Sequence, residues 1–135
     1  MKVQKNLIRK ITHGKNFKVI EPVNLYECEF GNNVFVGPFV EITKGVKIGD
    51  NTRISSHSFV CELVTIGKNC FIGHGVMFTN DLFRDGKIVN DPKRFFKTNI
   101  GNNVIIGSNA TILPVKISSG VVIGAGSVVT KNIDV

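Results

Sequence analysis

The segment FGNNVFVGPFVEITKGVKIGDNTRISSHSFVCELVTIGKNCFIGHGVMF, residues 30–78, decides the fold because an apolar side chain recurs at every sixth position. These positions are Phe30, Val36, Ile42, Ile48, Ile54, Val60, Ile66, Ile72 and Phe78. An α-helix turns every 3.6 residues, so a period of six would scatter these side chains around it. The period returns later in the chain at Ile100, Ile106, Ile112, Ile117, Ile123, Val129 and Val135. The pattern therefore predicts short strands separated by turns.

The remaining positions of the six-residue unit explain how it turns. Three residues after the apolar position comes Asn or Gly, as at Asn33, Asn51 and Asn69. These residue types reach positive φ at the least cost, which predicts a corner in each unit. Four residues after the apolar position the side chain is usually small or β-branched, which suits a second inward position. Repeats of this length are typical of β-helices, whose coils bury their apolar faces by stacking.

The units beginning at Ile48, Ile66 and Ile106 resemble the hexapeptide repeat of the left-handed β-helix acyltransferases. The resemblance covers about residues 17–135 and implies an all-β fold, a left-handed parallel β-helix with three six-residue sides per coil. It also implies a homotrimer, with acetyl-CoA and the acceptor held between neighbouring prisms. We expect residues 1–16 to form a loosely ordered N-terminal segment and residues 17–135 to form the β-helix domain.

Composition sets limits on the cell compartment and on the partners. The chain of 135 residues suits one domain, and its net charge of +7 fits a polyanionic ligand such as CoA or a nucleotide sugar as well as simple solubility. It contains neither a membrane-spanning apolar run, nor a signal-peptide core, nor a nucleic-acid-binding motif, so we expect a cytoplasmic protein without membrane or nucleic-acid partners. Cys28 and Cys70 fall on inward positions and Cys61 on an outward one, and we expect three free thiols.

The period breaks between Phe78 and Ile100, which predicts an inserted loop at about residues 79–99. The loop carries both basic and aromatic side chains, namely Arg84, Lys87, Lys93, Arg94, Lys97, Phe83, Phe95 and Phe96. A solvated loop is the simple interpretation, but a long insertion in a regular solenoid is commonly functional. Basic and aromatic groups together would suit a phosphate and a base or sugar ring, and Arg84 is a candidate substrate-binding residue.

A candidate site follows from the coil length. Glu62 and Asn80 are 18 residues apart, so in an 18-residue coil they stack one above the other at one corner, with the spacing of adjacent strands, about 4.7–4.9 Å. Asp81 follows Asn80 at the start of the inserted loop. The sequence therefore predicts a polar cluster where the solenoid leaves its pattern.

Two sequence segments contain this cluster, Ile54 to Glu62 and Ile72 to Asp81. They resemble those of a subgroup of the family, the N-acetyltransferases that act on nucleotide-linked amino sugars. The Phe-Thr-Asn-Asp element at residues 78–81 carries most of the match. The resemblance implies that Asn80 and Asp81 meet the reacting amine, that Glu62 orients it, and that the amine attacks the thioester directly.

For acetyl-CoA, the resemblance implies a groove between subunits along the later coils, where backbone amides meet the pantetheine arm. By motif match, Ser108 and Ala125 take those places, and Lys131 is a candidate for a CoA phosphate. The step from Ile112 to Ile117 is five residues and lacks the family's usual glycine after Pro114, which predicts a tighter corner there.

Two histidines leave alternatives open. His57 has the side chain of a general base, but it occupies a position where other units carry Asn or Gly, so a corner role is equally reasonable. His74 is a weaker candidate for binding substrate. A hydroxyl acceptor would make His57 indispensable, so an O-acetyltransferase of a sugar or small molecule is one alternative. A non-enzymatic trimeric scaffold is another. A zinc-dependent γ-type carbonic anhydrase is disfavoured because Thr79 stands where that family has a histidine, and no metal is expected.

Overall fold

The computed structural model describes residues 1–88, 90–91, 93 and 95–134, and in these ranges the chain forms nineteen short strands and no α-helix. The strands build three parallel sheets around one core. Sheet A contains β1 (Ile8–Arg9), β4 (Asn24–Tyr26), β7 (Glu41–Ile42), β10 (Phe59–Val60), β13 (Met77–Phe78), β16 (Thr111–Ile112) and β19 (Val128–Val129). Sheet B contains β2 (Thr12–His13), β5 (Glu29–Phe30), β8 (Lys47–Ile48), β11 (Val64–Ile66), β14 (Thr98–Ile100) and β17 (Lys116–Ile117). Sheet C contains β3 (Lys18–Val19), β6 (Phe35–Val36), β9 (Arg53–Ile54), β12 (Phe71–Ile72), β15 (Ile105–Ile106) and β18 (Val122–Ile123).

The strand register confirms the predicted left-handed parallel β-helix. Ile48 lies over Ile66 in sheet B, and Ile54 lies over Ile72 in sheet C, each one coil away. The six-residue period therefore places one apolar column in each sheet, and Ile54, Ile66 and Ile72 are almost completely buried. Val135, the last position of the predicted period, lies outside the described residues.

Each coil has three corners, which we name by the sheets they join. The A–B corner comprises residues 10–11, 27–28, 43–46, 61–63, 79–97 and 113–115. The B–C corner comprises residues 14–17, 31–34, 49–52, 67–70, 101–104 and 118–121. The C–A corner comprises residues 20–23, 37–40, 55–58, 73–76, 107–110 and 124–127. The Asn residues of the repeat turn the chain as predicted: Asn33 and Asn51 have φ values of 57° and 59°. Their carboxamides form a ladder in which Asn33 Nδ2 donates to Asn51 Oδ1 at 3.1 Å.

The N-terminal segment differs from the expectation of a loosely ordered stretch over residues 1–16. Ile8 pairs with Leu25 and Thr12 pairs with Glu29, so β1 and β2 already belong to the first coil. The spacing in both pairs is 17 residues, one fewer than the regular coil, which hides this coil from a search for a six-residue period.

The inserted loop is confirmed, with sharper limits than predicted. It occupies residues 79–97, because Thr98 is fully buried and begins β14. The five-residue step at Pro114 falls in the next coil at the same corner, between β16 and β17, and the strands on both sides keep their register. Arg94, one of the basic residues of the loop, lies outside the described residues.

The three cysteines are free and all three are buried. The prediction that Cys61 points outward is wrong: it is 5% exposed and lies at the A–B corner, where the in–out alternation of a strand no longer applies. Burial raises the pKa of the Cys28 and Cys61 thiols to about 12, and it also raises the pKa of Cys70.

These thiols are expected to resist alkylation. Since the thiolate is the reacting form, a pKa of about 12 for Cys61 in place of 9.0 lowers the reactive fraction at pH 8 roughly thousandfold. Iodoacetamide at that pH should leave the folded chain unmodified and should label all three thiols in guanidinium chloride, as measured by intact mass. Rapid labelling of Cys61 in the folded chain would contradict its burial.

In the described part of the chain, no helix is long and apolar enough to cross a membrane.

Candidate functional site

The A–B corner brings Glu62 and Asn80 together. Asn80 Nδ2 donates a hydrogen bond to the Glu62 carbonyl oxygen at 3.2 Å, which confirms the predicted stacking. Two backbone hydrogen bonds close the base of the inserted loop beside them: Phe96 N donates to Asn80 O at 3.3 Å, and Thr98 N donates to Leu63 O at 3.0 Å. The Asn80 side chain and the Glu62 backbone are therefore held together beside the base of the long insertion.

A pocket of about 290 Å³ opens at this corner. Polar groups of Glu62, Asn80 and Thr79 share it with the aromatic rings of Tyr26 and Phe95. The rest of the lining comes from Thr43, Phe59, Cys61 and Phe78. A few convergent polar groups in a largely apolar concave site are typical of small-molecule binding.

Tyr26 is the residue of this pocket that sequence reasoning missed. The Arg9 guanidinium lies 4.4 Å from the centre of its ring, and Arg9 Nη1 also donates to Asn24 Oδ1 at 3.0 Å. Asn24 Nδ2 donates in turn to a Glu41 carboxylate oxygen. Burial raises the pKa of the Tyr26 hydroxyl, and the Glu41 and Glu62 carboxylates raise it further, so the phenol is protonated at neutral pH. A signal existed in the sequence, because the period is irregular beside Tyr26: the inward residues Leu25 and Phe30 are five residues apart in place of six.

The inserted loop forms a second pocket, of about 480 Å³, beside the first. Its lining includes Arg84 and Lys93, and Phe95 is common to both pockets. The Arg84 guanidinium lies 4.7 Å from the centre of the Phe96 ring, which holds this cation against an aromatic face. Asp81 lines this second pocket and accepts a hydrogen bond from Phe83 N at 2.9 Å, so it lies one residue beyond the Glu62–Asn80 pocket.

The two candidate histidines lie at the C–A corner. His57 has a φ of 67°, which confirms its corner conformation, and its exposed ring stacks on Phe39 with centroids 4.9 Å apart. His74 N lies 3.3 Å from Ser108 Oγ, the acceptor of its hydrogen bond. His57 precedes β10 and Glu62 follows it. The histidines and the Glu62–Asn80 pocket therefore lie at opposite ends of the strands of sheet A, and a single chain does not bring them together.

Ser108 and Ala125 occupy equivalent positions of successive coils at the C–A corner, since Gly126 N donates to Ser108 O at 2.8 Å. At the B–C corner the equivalent amides are satisfied by a side chain of the next coil: Lys68 N, for example, donates to Asn102 Oδ1 at 2.8 Å. Ala125 has no side-chain oxygen to offer Ser108. Within the described residues, the N–H groups of Ser108 and Ala125 therefore make no hydrogen bond.

Lys131 is exposed and lines a third pocket, of about 350 Å³, together with Val122, Ser127 and Val129. The described residues contain no group of three or more His, Cys, Asp or Glu side chains arranged to hold a metal ion.

Comparisons with known proteins agree with this architecture. Profiles for the bacterial transferase hexapeptide (six repeats) and for the hexapeptide repeat of succinyl-transferase match residues 27–62 and residues 63–77 and 97–131, respectively. The chain belongs to the hexapeptide-repeat transferase family. Membership confirms the resemblance that the repeats indicate.

A curated relative, the bifunctional protein GlmU of Wigglesworthia glossinidia brevipalpis, is 46% identical over 103 residues, which are 76% of this chain and 20% of that protein. The chain thus spans about one fifth of the curated relatives it matches.

Among solved structures, a mutant of AntD, an N-acyltransferase from Bacillus cereus, in complex with dTDP and coenzyme A superposes with a TM-score of 0.73 at 20% identity, covering 93% of this chain and 75% of that one. PerB from Caulobacter crescentus, in complex with CoA and GDP-perosamine, gives a TM-score of 0.62 at 23% identity, covering 94% and 51%. At these identities the similarity shows a shared fold.

Proposed function

We propose that this chain is an acyltransferase that moves the acetyl group of acetyl-CoA to the amine of a nucleotide-linked amino sugar. The observation that carries the proposal is the stacking of Asn80 on Glu62 in a pocket that adjoins the basic and aromatic pocket of the insertion. Family membership and the solved complexes of AntD and PerB with CoA support the same chemistry.

The amine subsite consists of Glu62 and Asn80. Because Asn80 Nδ2 is engaged with the Glu62 carbonyl, the Oδ1 atom of Asn80 is the end available to accept a hydrogen bond from the amine. The Glu62 carboxylate attracts the ammonium form and favours it, so it orients the amine without being a strong base. Reaction requires the neutral amine: its lone pair forms the N–C bond, the C–S bond of the thioester breaks, and the departing sulfur takes a proton.

The nucleotide subsite is the pocket of the inserted loop. Arg84 and Lys93 supply positive charge for a diphosphate, and Phe96 and Phe83 supply faces for a planar ring. Phe95 borders both pockets, so a ligand that places its sugar beside Asn80 extends its diphosphate toward Arg84. Asp81, at the junction, meets the sugar from the loop side.

The thioester subsite is the C–A corner. The N–H groups of Ser108 and Ala125, which make no hydrogen bond to a described residue, are donors suited to the carbonyl groups of a pantetheine arm. Lys131 supplies a cation for a CoA phosphate. Acyl transfer requires the amine and the thioester to touch, yet their two corners lie at opposite ends of sheet A in one chain. The site is therefore completed by a neighbouring subunit, whose C–A corner brings His57 and His74 toward the amine.

A homotrimer meets this requirement. The outer face of sheet C beside the C–A corner exposes a column of apolar side chains, with Phe71, Ile105 and Val122 at 39%, 45% and 68% exposure. The outer face of sheet B carries polar residues such as Lys47, Thr65 and Lys116. Burial of the apolar column between subunits would remove it from water and leave sheet B facing the solvent.

A thiol-release assay tests the proposed function. Acetyl-CoA should be consumed with members of a panel of dTDP- and UDP-linked 3-amino and 4-amino sugars, and not with the matched sugars that carry hydroxyl groups in place of the amine. Thiol release with none of the amino sugars would refute the proposed reaction, and a lack of CoA binding in calorimetry would favour a scaffold. His57→Ala separates the acceptors: a small effect fits direct amine attack, whereas complete loss fits acetylation of a hydroxyl.

The thioester subsite has its own test in Ala125→Asn. The new carboxamide is expected to satisfy the Ser108 N–H as Asn102 satisfies that of Lys68, which removes a donor from the ligand. The loss of one hydrogen bond, about 1 kcal/mol, predicts a Kd for CoA raised about fivefold to tenfold in calorimetry.

Ser119→Asn is the matched control, because it adds the same side chain in the same coil at the B–C corner and retains an oxygen for Asn102 N. Equal effects of the two substitutions would argue against the C–A corner as the CoA site.

A further inference from the structure

The Tyr26 side chain extends into the Glu62–Asn80 pocket from a lower level of the solenoid. Tyr26 ends β4, and Glu62 follows β10, which lies two strands further along sheet A. Both nevertheless line the same pocket. The Tyr26 ring is therefore placed along the wall of the pocket.

The position of the ring is supported from behind. The Arg9 guanidinium covers it at 4.4 Å, and Arg9 is connected through Asn24 to Glu41 by hydrogen bonds. The hydroxyl itself makes no hydrogen bond to any residue that the structure describes. A ring fixed in this way with its polar end unengaged is arranged to bind a ligand.

The chemistry of the other pocket residues indicates which ligand group would use this hydroxyl. The Glu62 carboxylate and Asn80 Oδ1 are both acceptors, which suits the N–H groups of an amine. A sugar also presents hydroxyl oxygens next to its amine, and these need a donor. Because burial and the neighbouring carboxylates raise its pKa, the Tyr26 phenol keeps its proton and remains such a donor.

We propose that Tyr26 is a positioning residue that determines substrate specificity. Its hydroxyl donates a hydrogen bond to a hydroxyl oxygen of the amino sugar, on the ring carbon next to the carbon that carries the amine. This role rests on the proposed function. It predicts a preference for amino sugars with a hydroxyl beside the amine over analogues that lack it.

A double-mutant cycle between enzyme and substrate tests the role. In the wild-type protein, removal of the adjacent hydroxyl from the amino sugar should raise KM about fivefold to tenfold, the effect of one hydrogen bond. Tyr26→Phe should raise KM for the parent sugar by a similar factor and leave KM for acetyl-CoA unchanged. In this variant, removal of either adjacent hydroxyl from the sugar should not change KM further. Thr65→Val, which removes an exposed hydroxyl from sheet B, is the matched control and should change neither KM.

The composition provides an independent readout, since Tyr26 is the single tyrosine of the chain. Labelling with ¹³Cζ-tyrosine gives one NMR signal, which should shift with the nucleotide amino sugar and stay in place with the nucleoside diphosphate alone. Wild-type turnover with an unmoved signal and a wild-type KM in Tyr26→Phe would overturn the role of Tyr26 and leave the acyltransferase proposal intact. Failure of the wild-type protein to acetylate any amino sugar would overturn both.

Discussion

Replacement of Asn80 by alanine is expected to lower kcat/KM for amino-sugar acetylation by about one to two orders of magnitude. At the A–B corner, Asn80 Nδ2 donates to the Glu62 carbonyl oxygen at 3.2 Å, and Asn80 also lines the pocket, where we propose that its Oδ1 accepts from the amine. Alanine removes the amine's acceptor and leaves the Glu62 backbone to move. A hydrogen bond to a charged or reacting group contributes about 1.5–3 kcal/mol, and each 1.36 kcal/mol corresponds to a factor of ten.

Steady-state kinetics with saturating acetyl-CoA measures this effect. Because Asn80 orients the amine for attack, kcat should fall as well as kcat/KM, in contrast to a loss of binding alone. Asn99→Ala is the control, since Asn99 is exposed on β14 and lies outside the pocket. A kcat/KM for Asn80→Ala within twofold of wild type, with an unchanged melting temperature, would remove the A–B corner as the amine subsite.

The frame of the solenoid was predictable because its cause is local and repetitive. Each unit needs an inward apolar residue and a residue that tolerates positive φ, and the Asn33–Asn51 ladder shows both requirements met at the same spacing. The stacking of Glu62 and Asn80 was predictable for the same reason: they are 18 residues apart, the length of one regular coil, so they lie one above the other.

Departures from that spacing were not predictable, because tertiary contacts set them. The first coil is short by one residue, so Ile8 and Thr12 pair with β4 and β5 at an interval the six-residue period does not reveal. The repeat pattern predicts an outward Cys61, but the corner that follows β10 turns this side chain back toward the core. Residue type makes both His57 and Asn80 candidates for the reaction, but the fold puts them at different corners of one chain.

The irregular steps of the period share one corner. The five-residue steps from Ile8 to His13, from Leu25 to Phe30 and from Ile112 to Ile117 all lie between a strand of sheet A and the next strand of sheet B. The insertion at residues 79–97 lies at the same corner. The pocket that holds Glu62 and Asn80 opens at this corner. In a repeat protein each coil can repeat the same corner, and insertions that break the repeat are often on the binding face. The coincidence of these irregular steps with the pocket therefore supports the proposed site at this corner.

Gly107→Ala is expected to destabilise the chain by about 1–3 kcal/mol, the usual cost of forcing an extra carbon into a packed position. A Cβ atom at Gly107 would lie 2.4 Å from the backbone nitrogen of Ala125 in the next coil. Backbone atoms cannot yield as a flexible side chain would, so the two coils must separate where Gly107 N donates to Ile123 O. Urea denaturation followed by circular dichroism should show a lower midpoint, with a slope like that of wild type if the folded coil count is unchanged.

Gly124→Ala is the matched control, because Gly124 holds the equivalent place one coil later and the nearest atom to its added Cβ is Ser127 Oγ at 3.7 Å. The same substitution should therefore leave the midpoint nearly unchanged. Equal destabilisation by both variants would mean that contact with the backbone of the next coil does not cause the effect, because the loss of glycine's backbone freedom alone would stabilise the folded chain. If both variants instead keep the urea midpoint of the wild-type protein, successive coils do not approach closely at the C–A corner. The geometry that leaves the Ser108 and Ala125 amides open to a ligand would then be contradicted as well.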